Sequence, residues 1–145
     1  MAVDLNSYLN DKFGIQQKDI RTYSPLTLAY IGDAVFDIVV RSILVNKGNT
    51  PVNKLHQRAS QVVKAQTQAA MITALMEQLT EAESDWYRRG RNSKPHTKAK
   101  NASTMDYLEA TGFEAVLGYL YLTGDMDRIC ELVSRGLETL ELDIL

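Results

Sequence analysis

Cysteine is almost missing from this sequence. Of 145 residues one is a cysteine, Cys130. That excludes an intrachain disulfide and any zinc site built on cysteines. A reducing, cytoplasmic setting is the simplest expectation. Histidine is nearly as scarce, and His56 and His96 form no metal-ligand spacing of the HExxH kind. No Ser/His/Asp constellation stands out, and no Gly-rich phosphate loop of the GxxxxGK[ST] or GxGxxG type is present. Long apolar runs are absent too. The most apolar stretch, Leu26 to Val40, is broken by Asp33 and Asp37 and ends at Arg41. It is too short and too charged to cross a bilayer, so no membrane partner is expected. Residues Met1 to Asn10 carry Asp4 and neither a basic nor an apolar run, which is not a secretory signal. Charge of one sign is not in excess either. Sixteen Lys and Arg stand against 18 Asp and Glu, for a net charge of −2, and that total alone gives no hint of nucleic acid.

What is present is core material. Hydrophobic residues make up 45% of the chain, enough for one globular domain of this length. The punctuation is helical. Ser24-Pro25 reads as an N-cap followed by proline at the first helical position, where its missing N–H costs nothing. The helix it opens is expected to run to about Asn46, with Gly48 as the stop. Thr50-Pro51 repeats the signal for a helix to Val63, and the Ala/Gln/Met-rich run from Lys64 to Gln78 reads as another. Thr80 with Glu83 is a capping box opening a helix through about Arg89. Gly90 to Ala102, with Pro95, reads as a loop. Ser103 to Asp106 offers a second such start for a helix ending near Gly124. Ile129, Leu132, Val133, Leu137 and Leu140 give helical spacing to a last helix, Met126 to Leu140. Ile38-Val39-Val40 is the one strand-like piece. The expectation is an all-α, single domain of six or seven helices.

Two helices are apolar nearly all the way round, Leu28 to Asp37 and Gly112 to Leu122, so both should be central. Each carries carboxylates: Asp33 and Asp37 in the first, Glu114 in the second. A buried carboxylate needs a cation, a metal or an exposed edge. Asp37 has a simple answer in Arg41, one turn on. Asp33 sits beside Gly32, and a mid-helix glycine costs about 1 kcal/mol relative to alanine and marks a close approach. Gly118 marks a second close approach on the other helix. A crossing of the two helices there would bring Asp33 and Glu114 together as oxygen ligands for a hard cation such as Mg2+. The other reading of these acids is a solvated helix face.

Residues 86–101 hold Arg88, Arg89, Arg91, Lys94, Lys98 and Lys100 and no acid, which leaves the rest of the chain at −8. Such a segment can follow a phosphate backbone. It can equally cap the negative end of the preceding helix. Trp86 and Tyr87 read as packing residues, as do Met71, Met76, Tyr119 and Tyr121.

Leu28-Ala29-Tyr30-Ile31-Gly32-Asp33-Ala34-Val35 resembles the signature helix of the ribonuclease III family, written LEFLGDAVL. Thr111-Gly112-Phe113-Glu114-Ala115-Val116-Leu117-Gly118 resembles that family's second acidic motif, DxFEAxxGA. Arg88-Arg89-Gly90-Arg91-Asn92, Lys100-Asn101 and Phe113 to Leu122 are most similar to its short Mini-ribonuclease III branch. The resemblance spans residues 24–124 and implies a single ribonuclease III-like domain over 1–145, without a separate double-stranded-RNA-binding domain. It implies a homodimeric endoribonuclease that cuts double-stranded RNA with Mg2+, for which Mn2+ can stand in, and that matures precursor 23S ribosomal RNA. A large-subunit ribosomal protein is a further partner to consider. By the same resemblance Asp33 and Glu114 are the catalytic metal ligands, and the six basic residues hold RNA. Gly32, Asp37 and Thr111 are accessory, Thr111 through a hydroxyl that would orient a metal-associated water. Two departures stand out: Ala29 replaces the signature glutamate of the larger enzymes and Thr111 their second-motif aspartate. They leave open a module that holds RNA in a ribosomal assembly without cutting it, or a helical interaction protein whose acids are structural.

Overall fold

The computed structural model describes residues 4–93 and 104–142. They form seven α-helices and no strand. These are α1 (Leu5–Lys12), α2 (Pro25–Asn46), α3 (Val52–Val63), α4 (Ala65–Leu75), α5 (Glu81–Arg91), α6 (Thr104–Leu122) and α7 (Met126–Thr139). Among the described residues no helix is long and apolar enough to cross a membrane.

The starts follow the side chains that satisfy free backbone N–H groups. Ser24 accepts from the Thr27 amide, with Pro25 in the first helical position. Thr80 accepts from the Glu83 amide while the Glu83 carboxylate accepts from the Thr80 amide, the reciprocal capping box. Ile38, Val39 and Val40 are helical within α2, where packing outweighs β-branching.

Three local expectations differ from the fold, and one helix was not expected. Thr50 does not cap α3; Pro51 stands outside the helix as the capping residue and brings no side-chain hydrogen bond. The Lys64–Gln78 run is not one helix, because α4 ends at Leu75 and a 3-10 turn covers Met76–Gln78. Gly90 lies in α5 rather than in a loop, since α5 continues to Arg91. Helix α1 buries no residue, so no apolar stripe announced it. Ser103 lies outside the described residues.

Helix α6 is the axis of the fold, packed against α2, α4, α5 and α7. It buries Phe113, Ala115, Val116, Leu117 and Leu120 on successive faces, as a helix surrounded by others must. Phe36 of α2 meets Phe113 edge-on, with ring centroids 5.5 Å apart. A larger cluster joins α2, α4, α6 and α7 through Val40, Met71, Ile72, Leu117, Ile129 and Leu132. A smaller one joins Leu28 and Ala29 of α2 to Trp86 of α5 and Ala115 of α6. Both clusters pin α2 to α6, and the site lies along that seam.

Candidate active site

Glycine sets the α2–α6 contact. A Cβ on Gly32 would stand 1.8 Å from the Glu114 carbonyl oxygen, and one on Gly118 would stand 1.9 Å from the Leu28 carbonyl oxygen. Each helix lays its glycine on the other's backbone, a distance that no side chain permits. The same contact fixes the register, because Asp33 follows Gly32 and Glu114 is itself the residue that Gly32 touches. Both carboxyl groups open on one pocket of about 450 Å3, lined also by Leu26, Ala29, Tyr30, Tyr107 and Thr111.

The two acids differ in environment. Asp33 is exposed, and Glu114 is partly buried beneath it. Burial first, and then the facing Asp33 carboxyl, push the Glu114 carboxyl up to about 8, opposed by the Gln68 amide. Gln68 of α4 donates through Nε2 to Glu114 Oε2 at 3.4 Å and to the Val63 carbonyl at 2.8 Å. No Lys or Arg forms an ion pair with Asp33 or Glu114 among the described residues. Two facing carboxylates with no cation between them are a hard-oxygen donor set that fits Mg2+, which commonly takes one or two carboxylates and keeps several waters. Among the described residues no group of three or more His, Cys, Asp or Glu could hold a metal. Asp33 and Glu114 are the acids that line the pocket and could contribute to such a shell.

The accessory positions fall in different places. Thr111 is buried and lines the pocket, with its hydroxyl proton donated to the Tyr107 carbonyl at 2.9 Å. Its oxygen can therefore only accept a further bond. Ala29 is also at the pocket, so neither position adds a charge. Asp37 pairs with Arg41 at 3.1 Å and is not among the residues lining the pocket. Gln68 carried no motif signal. Its only trace in the sequence was a polar residue inside the Ala/Met run of α4.

The basic turn ends α5. Arg88 pairs with Asp85 and is exposed. Arg89 lies over the Trp86 ring at 4.2 Å. Arg91 donates to Glu109 at 3.2 Å and is only partly exposed. Trp86 and Tyr87 are buried: Trp86 stacks on Tyr119 with centroids 6.1 Å apart, and the Tyr87 hydroxyl donates to Glu109 at 2.6 Å. Gly90 seats the turn on α6, since a Cβ there would stand 2.9 Å from the Ala115 Cβ and 3.3 Å from the Thr111 carbonyl oxygen. The arginines thus project from a turn packed on the stretch of α6 that lines the pocket. Lys94, Lys98 and Lys100 lie outside the described residues.

Known proteins resemble this chain in sequence and in fold. A family profile described as "Ribonuclease III domain" matches residues 26–125. The curated protein "Mini-ribonuclease 3" of Clostridium tetani is 45% identical over 127 residues, covering 87% of this chain and 83% of that protein. The protein of the same name from Thermoanaerobacter sp. is 38% identical over 141 residues, 97% of this chain and 99% of its own. The crystal structure of a protein from Fusobacterium nucleatum superposes with a TM-score of 0.76 at 29% identity, over 84% of this chain and 94% of that one. On a profile match spanning most of the chain and near full-length identity to these relatives, the chain belongs to the ribonuclease III family of endoribonucleases, in its Mini-ribonuclease 3 branch.

Proposed function

We propose that this chain is a cytoplasmic, divalent-metal-dependent endoribonuclease that hydrolyses phosphodiesters in double-stranded RNA as a homodimer. Asp33 and Glu114 are its metal ligands, and precursor 23S ribosomal RNA is its substrate. The observation that carries the reading is the carboxyl pair at the α2–α6 crossing, open to a surface pocket and paired with no Lys or Arg among the described residues. Mg2+ is the expected ion, Mn2+ an expected substitute, and a large-subunit ribosomal protein a candidate partner. The whole chain acts as one catalytic domain.

The residues divide the chemistry among them. Asp33 and Glu114 would hold the divalent cation, which when bound would supply activation of water and neutralisation of charge at the phosphodiester. Asp33, on the exposed side of the pair, meets the RNA first. Glu114 lies beneath it, partly buried, where charge interactions are stronger than in bulk water. Thr111 offers an acceptor oxygen that keeps a nearby water oriented. Arg88 and Arg89, with Lys94, Lys98 and Lys100, hold phosphates and so read the shape of an A-form duplex rather than its sequence. Arg91 takes part with a charge already shared with Glu109.

The deciding experiment incubates the protein with a long RNA duplex, in Mg2+ or in chelator, beside Asp33→Asn. Cleavage by the parent in Mg2+ alone is expected. The variant should lose roughly a thousandfold in rate, the equivalent of several kcal/mol of charge stabilisation, while its duplex affinity stays within about twofold. Undiminished Mg2+-dependent cleavage by Asp33→Asn would overturn the ligand assignment. Binding without any cleavage by the parent would point to the non-cutting RNA module.

A further inference from the structure

Three polar side chains are buried among the described residues: Gln68, Glu83 and Thr111. Glu83 is matched by Arg128 and by the Thr80 amide. Thr111 is matched by the Tyr107 carbonyl. Gln68, only 2% exposed, is matched on one side alone. Its Nε2 serves Val63 and Glu114, while its Oε1 is buried with no hydrogen-bond partner. The orientation of the amide is not free. The Val63 carbonyl can only accept, so the NH2 group must face it, and the oxygen must face away.

An unpaired buried acceptor is destabilising, a cost that an apolar side chain of similar size would avoid. A glutamine in that position calls for an explanation in what its NH2 group does. That group ties three elements together. Val63 ends α3, Gln68 lies in the first closed turn of α4, and Glu114 lies on α6. The Thr67 hydroxyl pins the same junction by donating to the Gln61 carbonyl at 2.6 Å. The choice of donor matters as well. Lysine or arginine here would neutralise Glu114 and compete with an incoming cation. A neutral amide orients the carboxyl group without placing a competing positive charge beside it.

We propose that Gln68 is the positioning residue of Glu114: anchored on the Val63 carbonyl, its amide holds the Glu114 carboxylate in the orientation that faces Asp33 and receives the cation. This rests on the reading of Asp33 and Glu114 as cation ligands. Groups that orient a metal ligand in this way typically contribute 10- to 100-fold in metal affinity.

The test uses Gln68→Met, which keeps length without a donor, and Gln68→Asn, which keeps the amide but is one methylene too short. Mn2+ binding to the RNA-free protein is titrated by water proton relaxation, and the Mg2+ midpoint of duplex cleavage is measured beside the unfolding temperature. Both variants are expected to bind Mn2+ about tenfold more weakly or worse. Their Mg2+ midpoints should rise by a similar factor, with much of the rate restored at saturating Mg2+. Mn2+ binding within about twofold of the parent, or a rate loss that saturating Mg2+ leaves unchanged, overturns the proposal. A lowered unfolding temperature with an unmoved Mg2+ midpoint does so too, because it marks a structural role only. If Gln68→Met does not fold, Gln68→Asn decides. Asp33→Asn separates the two readings. If it binds Mn2+ like the parent, the ligand assignment fails and this proposal with it. If it loses Mn2+ while the Gln68 variants keep it, only the role of Gln68 falls.

Discussion

At the scale of single residues the site depends on two missing side chains. Gly32 and Gly118 each occupy space that the partner helix's backbone fills, at distances where even a methyl group would overlap. Neither backbone can yield like the end of a flexible side chain, so α2 and α6 must separate or slide. Gly32→Ala is therefore expected to lower stability by about 3 kcal/mol or more, at the top of the usual range for overpacking. Urea denaturation measures this, and a midpoint within a few tenths molar of the parent would contradict the contact. Any of the variant that stays folded should cleave poorly, because the slide displaces Asp33 from Glu114. These glycines were legible in the sequence because they violate helix propensity inside two apolar helices. Gln68 was not. Nothing in its neighbours distinguishes a buried glutamine from a solvated one, and its partner Glu114 is 46 residues away.

Helix α5 shows what one element owes to local sequence and what it owes to distant residues. Its start is local, the Thr80–Glu83 capping box. Its hold on the rest of the fold is distant. Arg128 of α7 donates to both Glu83 oxygens, at 2.8 and 2.9 Å, and to the Gln78 carbonyl at 2.7 Å. Burial alone would raise the Glu83 carboxyl, but Arg128 and Thr80 together hold it below its ordinary value. The sign of the pH effect follows. A group whose folded pKa is depressed contributes fully above its unfolded value, near 4.5, and loses that contribution as pH falls through the folded one. Glu83→Gln is expected to cost roughly 2 kcal/mol at pH 7, the usual worth of hydrogen bonds to a charged group. The gap between parent and variant should close below about pH 4.5. Urea titrations at several pH values read this directly, and a gap independent of pH would remove Glu83 from the acid response. The cap was readable as a motif within four residues, whereas Arg128 lies 45 residues beyond Glu83 and shares no pattern with it. The same limit explains Gly90. Its residue type suggests a loop, but the close seat against Thr111 and Ala115 makes glycine the residue that lets the helix continue.

Across the whole molecule the net charge of −2 conceals a division, with six cations and no acid in residues 86–101 and −8 elsewhere. That division fits a protein that must attract phosphate on one part of its surface and a divalent cation on another. The sequence showed the number of charges in the basic segment but not their availability, which packing decides. Arg91 has its guanidinium on Glu109, and only about a third of its side chain is exposed, whereas Arg88 has a surface pair that water and salt screen. Exposed pairs of that kind contribute little, so Arg88 can exchange Asp85 for a phosphate at small cost. The three arginines should therefore separate in their salt dependence. Replacing Arg88 and Arg89 by glutamine is expected to weaken duplex binding equally for all sequences. It should flatten the plot of log affinity against log salt by roughly 0.9 for each phosphate that is no longer neutralised. Arg91→Gln should change that slope least and the unfolding midpoint most, because it leaves Glu109 without its guanidinium partner. Filter binding of a catalytically silent Asp33→Asn background in chelator, over a range of salt concentrations, measures the slopes without cleavage. Equal slope changes at all three positions would mean that Arg91 leaves Glu109 when RNA arrives. A change in sequence preference at constant affinity would mean that the turn reads bases rather than the backbone.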